Sequence, residues 1–510
     1  MSINHVRRIR GSISGSIDVT PLEDLVIAHP WFQRLRRVRQ TAFLNLVFPG
    51  ASHSRFEHSI GVMHLAGVAW EKIRQNQYRL ELATKKYKDF SHREETTSSG
   101  QGLHGVLYPT FELSKKIFHS EYVYEALRLA ALMHDMGHAP FSHSAERFLP
   151  SAGTIIEQNS SLPAYLKTWL EKKSKRNGDK PVSHEVFTIL IIDQVLREIY
   201  ETHKNLPLIV DPQDVISIIS TSIPPKSDSP LVALKAQKLC HEIVSGEVDI
   251  DRMDYLARDS KEAGVVYGIF DGDRILDSLC IYYDTEEDNL HLAIQFSGLA
   301  AFEDYLRARQ SMYLQLYFHK TSVAAEAMLQ YMIESLNDWR LPGDLAKYCA
   351  VDEWNIVPLL EEQSKTIITD PKRRAHFKKT MEDLVLNRRL WKRVYEISGT
   401  SNAVAFDPSL ERAKKILQDL GFEFQQISSA SYLTKFRERK PHEMSANYLR
   451  LIKKDSRLFP RVVPIEDFSS IVSQKSTVHI SRLYVEQMET PTGNSVALAR
   501  SALIDGLDNE

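Results

Sequence analysis

The stretch from Glu125 to Met133 runs directly into His134-Asp135-Met136-Gly137-His138-Ala139-Pro140, and no other stretch constrains the fold as tightly. Ala126, Leu129, Ala130 and Met133 recur at helical spacing, which predicts a helix with an apolar face. Pro140 biases Ala139 away from helical backbone, so His134 and Asp135 are expected in the last turns of a buried helix. Burying such a pair without partners costs about 2–7 kcal/mol per polar group, so the fold must bring partners to it. Two distant words offer them: Arg55-Phe56-Glu57-His58, and Asp249-Ile250-Asp251-Arg252-Met253-Asp254-Tyr255. Two imidazoles and two carboxylates, His58, His134, Asp135 and Asp251, form a mixed N/O donor set for a divalent metal, the kind that hydrolytic sites use. A lone His-Asp dipeptide means little in a chain with 19 His and 66 acidic residues; the surrounding words carry the signal.

Composition narrows the class. A chain of 510 residues exceeds the size at which one core stops growing, so a large domain with a smaller companion is expected. Apolar content of 43% and charged content of 25% describe an ordinary globular protein. No run of 18 apolar residues and no apolar leader segment occurs, which predicts a cytoplasmic protein without a membrane partner. Cys240, Cys280 and Cys349 lack metal or redox spacing and read as free thiols. A net charge of -2 gives no pull toward nucleic acid. The basic words Arg34-Leu35-Arg36-Arg37-Val38-Arg39 and Lys372-Arg373-Arg374 read as helix faces, subunit interfaces or anion sites.

Periodicity predicts helices over about 21–46, 56–76, 121–138, 184–203, 211–222, 232–245, 297–336 and 371–396. Apolar runs at Leu279–Tyr283 and Leu290–Ile294 around an acidic turn predict a β-hairpin, and a short β element is expected near Thr477–Val485. Residues 88–105 read as a polar loop insertion. The expected fold is mainly α, a helical bundle with small β-hairpin elements and a smaller α+β C-terminal region. Its expected divisions are a catalytic core over 1–336, a helical or α+β region over 337–460, and a β element with a tail over 461–510.

The ordered series His58, His134-Asp135, Asp251 is the pattern of HD-domain phosphohydrolases. Three longer words, Phe48–Ser59, His134–His143 and Asp254-Tyr255-Leu256-Ala257-Arg258-Asp259, resemble the deoxynucleoside triphosphate triphosphohydrolase branch, which includes the SAM-and-HD-domain enzymes and their bacterial relatives. The resemblance is strong from about residue 5 to 330 and weaker from there to about 460, and it does not place the last fifty residues. It implies metal-dependent hydrolysis of dNTPs to deoxynucleoside and inorganic triphosphate. The alternatives are another HD-type phosphohydrolase, releasing other phosphate products, and a nucleotide-sensing or nucleic-acid-binding protein with a vestigial site. The donor set suits Mn, Fe, Co, Ni, Zn or Mg.

The resemblance also implies roles. Arg55, one helical turn before His58, and His138, four residues after His134, match phosphate contacts and share the ligand faces by spacing. His143 matches the proton-transfer histidine, a residue that titrates near neutrality. Glu146 stands where the animal enzymes carry Asp, and His184 matches a second histidine. Arg252 (Lys in the animal enzymes), Tyr255 and Arg309 match triphosphate contacts, while Asp259, Tyr317 and Gln40 match the sugar pocket. Thr41 replaces an apolar residue at the floor of that pocket. His53, His64, His241 and His319 are expected to lie outside the chemistry. Gln33, Arg36, Arg388 and Lys392 match part of an effector-nucleotide site between subunits. Yet Ala28 replaces its acidic guanine reader, Gly11–Gly15 replaces its opening word, and Gln315 replaces an Arg. The expectation is a homo-oligomer, with a tetramer favoured, whose nucleotide activation is altered or absent.

Overall fold

A computed structural model describes residues 6–90, 106–107, 111–337, 339–400, 404, 407–432, 449–454, 460–473, 477–490 and 493–508. The fold is mainly α-helical with small sheets. At its centre lies the helix Glu121–Met133, which starts where Ser120 Oγ accepts from Val123 N–H. Residues Glu125–Met133 are buried on every side, so this is a core helix and not an amphipathic surface one. The helices Arg55–Phe90 and Pro212–Ile219 pack on it, and Ile250–Ala263 packs on Arg55–Phe90.

Local chemistry sets where these helices begin. Before Arg55–Phe90, Ser54 N–H donates to Glu57 Oε2 at 2.9 Å, so the first turn carries both Arg55 and His58 inward. Asp249 caps Ile250–Ala263 by accepting from Arg252 N–H at 2.8 Å, and Gly264 ends that helix in the left-handed region (φ +71). The N-terminal helix Pro21–Ala28 is tied to the core by a buried pair, Arg128 Nε to Glu23 Oε1 at 2.5 Å. Thr20 Oγ1 donates to Glu125 at 2.6 Å beside it.

Gly137 decides how closely the site's elements approach. A Cβ there would meet Thr188 N at 2.2 Å and His184 O at 2.3 Å. Gly137 N–H donates to Thr188 Oγ1 at 3.0 Å, Thr188 Oγ1 donates to His134 O at 3.0 Å, and Tyr348 Oη donates to Gly137 O at 2.7 Å. The His134–His138 turn is thereby seated on the first turn of the helix His184–Thr202. Replacing Gly137 with alanine is expected to destabilise the chain by about 1–3 kcal/mol, since backbone stands in the way. Calorimetry would show the lowered Tm; an unchanged Tm would mean that the two elements can separate freely.

The predicted hairpin forms, Leu279–Asp284 against Asn289–Gln295, with Leu279 opposite Ile294. It is the middle of a five-stranded sheet, because Arg450–Lys454 pairs parallel to Asn289–Gln295 and Pro460–Pro464 follows antiparallel. A second sheet is antiparallel, with Thr477–Val485 between Lys392–Gly399 and Phe424–Tyr432. Leu483 and Val485 pack with Leu410, Leu417, Val496 and Leu503 from the helices Pro408–Asp419 and Ser495–Asp508. Arg482 and Tyr484, the alternate residues, instead donate to the carbonyls of Phe318 and Lys320 and bind this sheet to the helical core.

Several expectations are corrected. The 21–46 helix breaks into Pro21–Ala28, Pro30–Gln33 and short 3-10 turns, because Pro30 cannot continue the hydrogen-bond ladder. The 297–336 helix is interrupted by a π-helical turn at Tyr313–Tyr317. The 371–396 helix ends in a π turn at Asp383–Asn387, and Lys392 opens a strand. The helix predicted over 56–76 runs on to Phe90, so residues 88–90 are helical and not loop, while 91–105 lie outside the described residues. The strand pair Arg7–Gly11 and Gly15–Val19 was not anticipated. Among the described residues, no helix is long and apolar enough to cross a membrane.

Candidate active site

His58, His134, Asp135 and Asp251 converge from three elements. Ring nitrogens of His58 and His134 and a carboxylate oxygen of Asp251 lie within 4.8 Å of one another. His58 Nε2 is 3.0 Å from Asp251 Oδ1 and 3.6 Å from Asp135 Oδ2. His134 Nε2 is 3.4 Å from Asp251 Oδ1 and 3.3 Å from Asp135 Oδ1. His134 is the residue just past its helix and Asp135 lies in the following turn, slightly later than the sequence predicts.

The remaining ring nitrogens are held from behind. His58 Nδ1 is 2.9 Å from Asp254 Oδ2, and His134 Nδ1 donates to Ala131 O at 2.8 Å. This leaves both Nε2 atoms aimed at the carboxylates, and His134 Nε2, though buried, has no hydrogen-bond partner. Burial opposes charge on His58, yet Asp251 and Asp254 raise its pKa to about 10; burial likewise opposes charge on His134, and Asp135 and Asp251 raise it. The carboxylates thus call for positive charge between the rings. A divalent ion supplies it by displacing those protons, so the residues present fit a metal.

A second cluster stands across Asp135. Its Oδ1 is 3.4 Å from His138 Nε2, and Arg55 grips Oδ2. His138 stacks on His184 with ring centroids 3.6 Å apart. Glu146 Oε1 lies 2.5 Å from His184 Nδ1 and 3.2 Å from His143 Nδ1. Burial pushes the Glu146 carboxyl up, but hydrogen bonds from His143 and His184 prevail and hold it below the usual carboxylate range. Burial, with the Arg55 guanidinium and the His184 ring beside it, pushes His138 well below the usual histidine range. Phe141 (φ 65) and Ser142 (φ 52) both adopt left-handed backbone just before His143. Such residues cost about 1–3 kcal/mol each. Phe141 is held by stacking on Phe43 at 5.0 Å, and Ser142 by donating to Arg39 O at 2.7 Å.

A third group lies beyond Gln40. Asp259 is buried, with Oδ1 2.7 Å from His53 Nε2 and Oδ2 accepting from Tyr317 Oη at 2.7 Å. Gln40 N–H donates to His53 O at 3.1 Å, and the buried Gln40 Oε1 and Thr41 Oγ1 have no hydrogen-bond partner. Tyr255 stands between the groups, its ring 6.5 Å from that of His58 and 6.3 Å from that of Tyr317. Arg252 is buried with Nε 3.4 Å from Asp249 Oδ2, and Arg309 lies 5.0 Å from the Tyr313 ring centroid.

Residues 270–419 match the family model "HD associated region". The chain is 28% identical over 331 residues to the uncharacterised protein YwfO of Bacillus subtilis, covering 64% of this chain and 54% of that protein. It is 28% identical over 332 residues to the human deoxynucleoside triphosphate triphosphohydrolase SAMHD1, covering 64% of this chain and 44% of that protein. The chain spans about half the length of these curated relatives. A phosphohydrolase structure from Bacteroides thetaiotaomicron superposes with a TM-score of 0.57 at 23% identity, covering 94% of this chain and 100% of that one. Together these matches support a likeness to the HD-domain dNTPase-like family.

Two residues beside this candidate site were given no role in the sequence reading. Asp254 stands three residues after Asp251 on the same helical face, a spacing that could have revealed it as the carboxylate behind His58. His53, expected outside the chemistry, lies against Asp259, a partner 206 residues away and beyond any local pattern. His241 and His319 do keep structural roles, bonding Ile218 O and capping the helix Lys320–Ser335. The residues expected at an effector site make contacts of their own within the chain. Gln33 Oε1 accepts from Arg36 at 2.8 Å, while Arg388 donates to Leu46 O at 2.7 Å and Lys392 is exposed at the start of its strand.

Proposed function

We propose that this HD-domain protein hydrolyses deoxynucleoside triphosphates to deoxynucleoside and inorganic triphosphate. The observation that carries the reading is the shared Asp135 carboxylate. It places the imidazole–carboxylate donor set beside the His138/His143/His184/Glu146 cluster, so a phosphoryl group at one lies within reach of the other. His58, His134, Asp135 and Asp251 would hold a divalent ion, which polarises a phosphoryl oxygen and acidifies bound water. Arg55 is anchored on Asp135 and presents fixed positive charge where the α-phosphoryl oxygens gain negative charge. Water forms a bond to the α-phosphorus, the bond to the 5′ oxygen breaks, and His143 gives that oxygen its proton. Glu146 orients His143 and His184 for this step.

Arg252, Tyr255 and Arg309 would take the triphosphate tail, and Asp259 with Tyr317 and Gln40 the sugar. The name of the human relative, a deoxynucleoside triphosphate triphosphohydrolase, supports this substrate class. A homo-oligomer, a tetramer in the favoured form, would complete the partner set, with Gln33, Arg36, Arg388 and Lys392 at subunit contacts. The buried, unpaired cysteines suit the reducing cytoplasm in which we place the reaction.

The test is to incubate metal-loaded protein with each dNTP and NTP, alone and mixed, and to identify the products by chromatography. Inorganic triphosphate with deoxynucleoside is expected. Pyrophosphate or monophosphate would point instead to another phosphohydrolase activity. Strong stimulation by a second nucleotide would overturn the expectation of altered activation.

A further inference from the structure

The carboxylate behind His58 is itself gripped. Asp254 Oδ2, 2.9 Å from His58 Nδ1, also accepts from Arg258 Nε at 2.8 Å, and its Oδ1 accepts from Arg258 Nη2 at 2.8 Å. This two-point grip fixes the plane of the carboxylate, which a single hydrogen bond leaves free to turn. Asp254 and Arg258 are each 1% exposed and stand one turn apart on the helix Ile250–Ala263. Gly61, three residues after His58, lets the pair lie flat against the neighbouring helix. A Cβ there would meet Asp254 Oδ1 at 2.2 Å and Arg258 Nη2 at 2.3 Å. The remaining arm of the guanidinium reaches the turn of the N-terminal strand pair, where Arg258 Nη1 donates to Ser12 Oγ at 3.3 Å. Lys261 Nζ donates to Ser12 O, and Ser12 Oγ donates to Glu262 Oε1 at 3.4 Å, so one helix end fastens that turn. A line of side chains thus runs from the hairpin to the metal set: Ser12, Arg258, Asp254, His58.

We propose that Arg258 is a positioning residue for the metal set: its two-point grip on Asp254 fixes the His58 ring, and Ser12 completes the hold from the N-terminal hairpin. The inference rests on the reading of His58 as a metal ligand. Charge and orientation make opposite demands here. A guanidinium behind Asp254 repels a cation at His58, so by charge alone its loss would tighten metal binding. By orientation, its loss frees Asp254 and with it the His58 ring, and binding weakens, as it does when an outer partner of a ligand is removed. Arg258→Lys separates the two, because lysine keeps the charge and loses the fork.

Metal-free full-length chain is titrated with Co(II) by calorimetry, and the Tm of each metal-free variant is measured beside it. Arg258→Gln should weaken Co(II) binding by about 10–100-fold, and Arg258→Lys should weaken it by less. In an Asp254→Asn background Arg258→Gln should add little, because both act through one carboxylate. Ser12→Ala, at an exposed position, should weaken binding by about two- to fivefold and leave the fold intact. Unchanged or tighter binding in Arg258→Gln, full additivity with Asp254→Asn, or a lowered Tm at wild-type affinity would overturn the positioning role. Should Arg258→Gln fail to fold, the lysine variant, which keeps the buried charge pair, decides by the same measure. Wild-type affinity in Ser12→Ala would overturn the part of the hairpin alone. A wild-type chain that binds no Co(II) would overturn the metal reading and this inference together. Co(II) binding without dNTP turnover would refute the proposed activity, while the affinities still decide the role of Arg258.

Discussion

Asp251→Ala is expected to strip the metal from the protein and to lower turnover by about 10³-fold or more. Metal-ion catalysis supplies several kcal/mol of transition-state stabilisation, and each 1.4 kcal/mol is about tenfold in rate. Asp251 carries this effect because its Oδ1 faces both His58 Nε2 and His134 Nε2, at 3.0 and 3.4 Å. Its side chain is 31% exposed and lies in the first turn of a helix that Asp249 caps. The fold should therefore survive, and an unchanged circular dichroism spectrum would confirm it. Metal content by mass spectrometry and turnover should fall together; full metal with full activity would remove Asp251 from the site. Asp254→Asn gives a graded contrast. It keeps the ligands but weakens the hold on His58 Nδ1, so metal affinity should fall by about 10–100-fold.

The second large effect is expected at Glu146. Its carboxylate joins two imidazoles, and its alanine variant should lose about 10²–10⁴-fold in turnover, the range general acid–base catalysis contributes. Metal content should stay unchanged, because Glu146 touches none of the four ligands proposed for that ion. Glu146→Asp, which shortens the side chain by one methylene, should restore part of the rate. An alanine variant with wild-type turnover would leave His143 and His184 without a role in proton transfer.

How far these residues could be read in advance depends on the distance over which their partners act. His58, His134-Asp135 and Asp251 each sit in a word whose chemistry is local: a capping residue, an apolar helix, an acidic turn. The helices carrying them were legible for the same reason, since 3.6-residue periodicity is a property of neighbouring residues. The breaks at Tyr313–Tyr317 and Asp383–Asn387 were not, because no Pro or Gly lies within either π turn and helix-forming residues run straight through. His53 looked idle beside Arg55 and His58; only folding sets it on Asp259.

The sequence alone determined the donor types, the mainly helical class, the hairpin at 279–295 and the strand at Thr477–Val485. These follow from side-chain chemistry and short-range backbone preference. Tertiary structure alone decided that Asp135 stands between two histidine clusters, that Asp254 lies behind His58 and His53 against Asp259, and that Arg450–Lys454 joins the sheet of residues 279–295. Such contacts join residues far apart in the chain. They are selected by the burial and close packing of whole helices, such as the approach that Gly137 permits, and no local pattern records them.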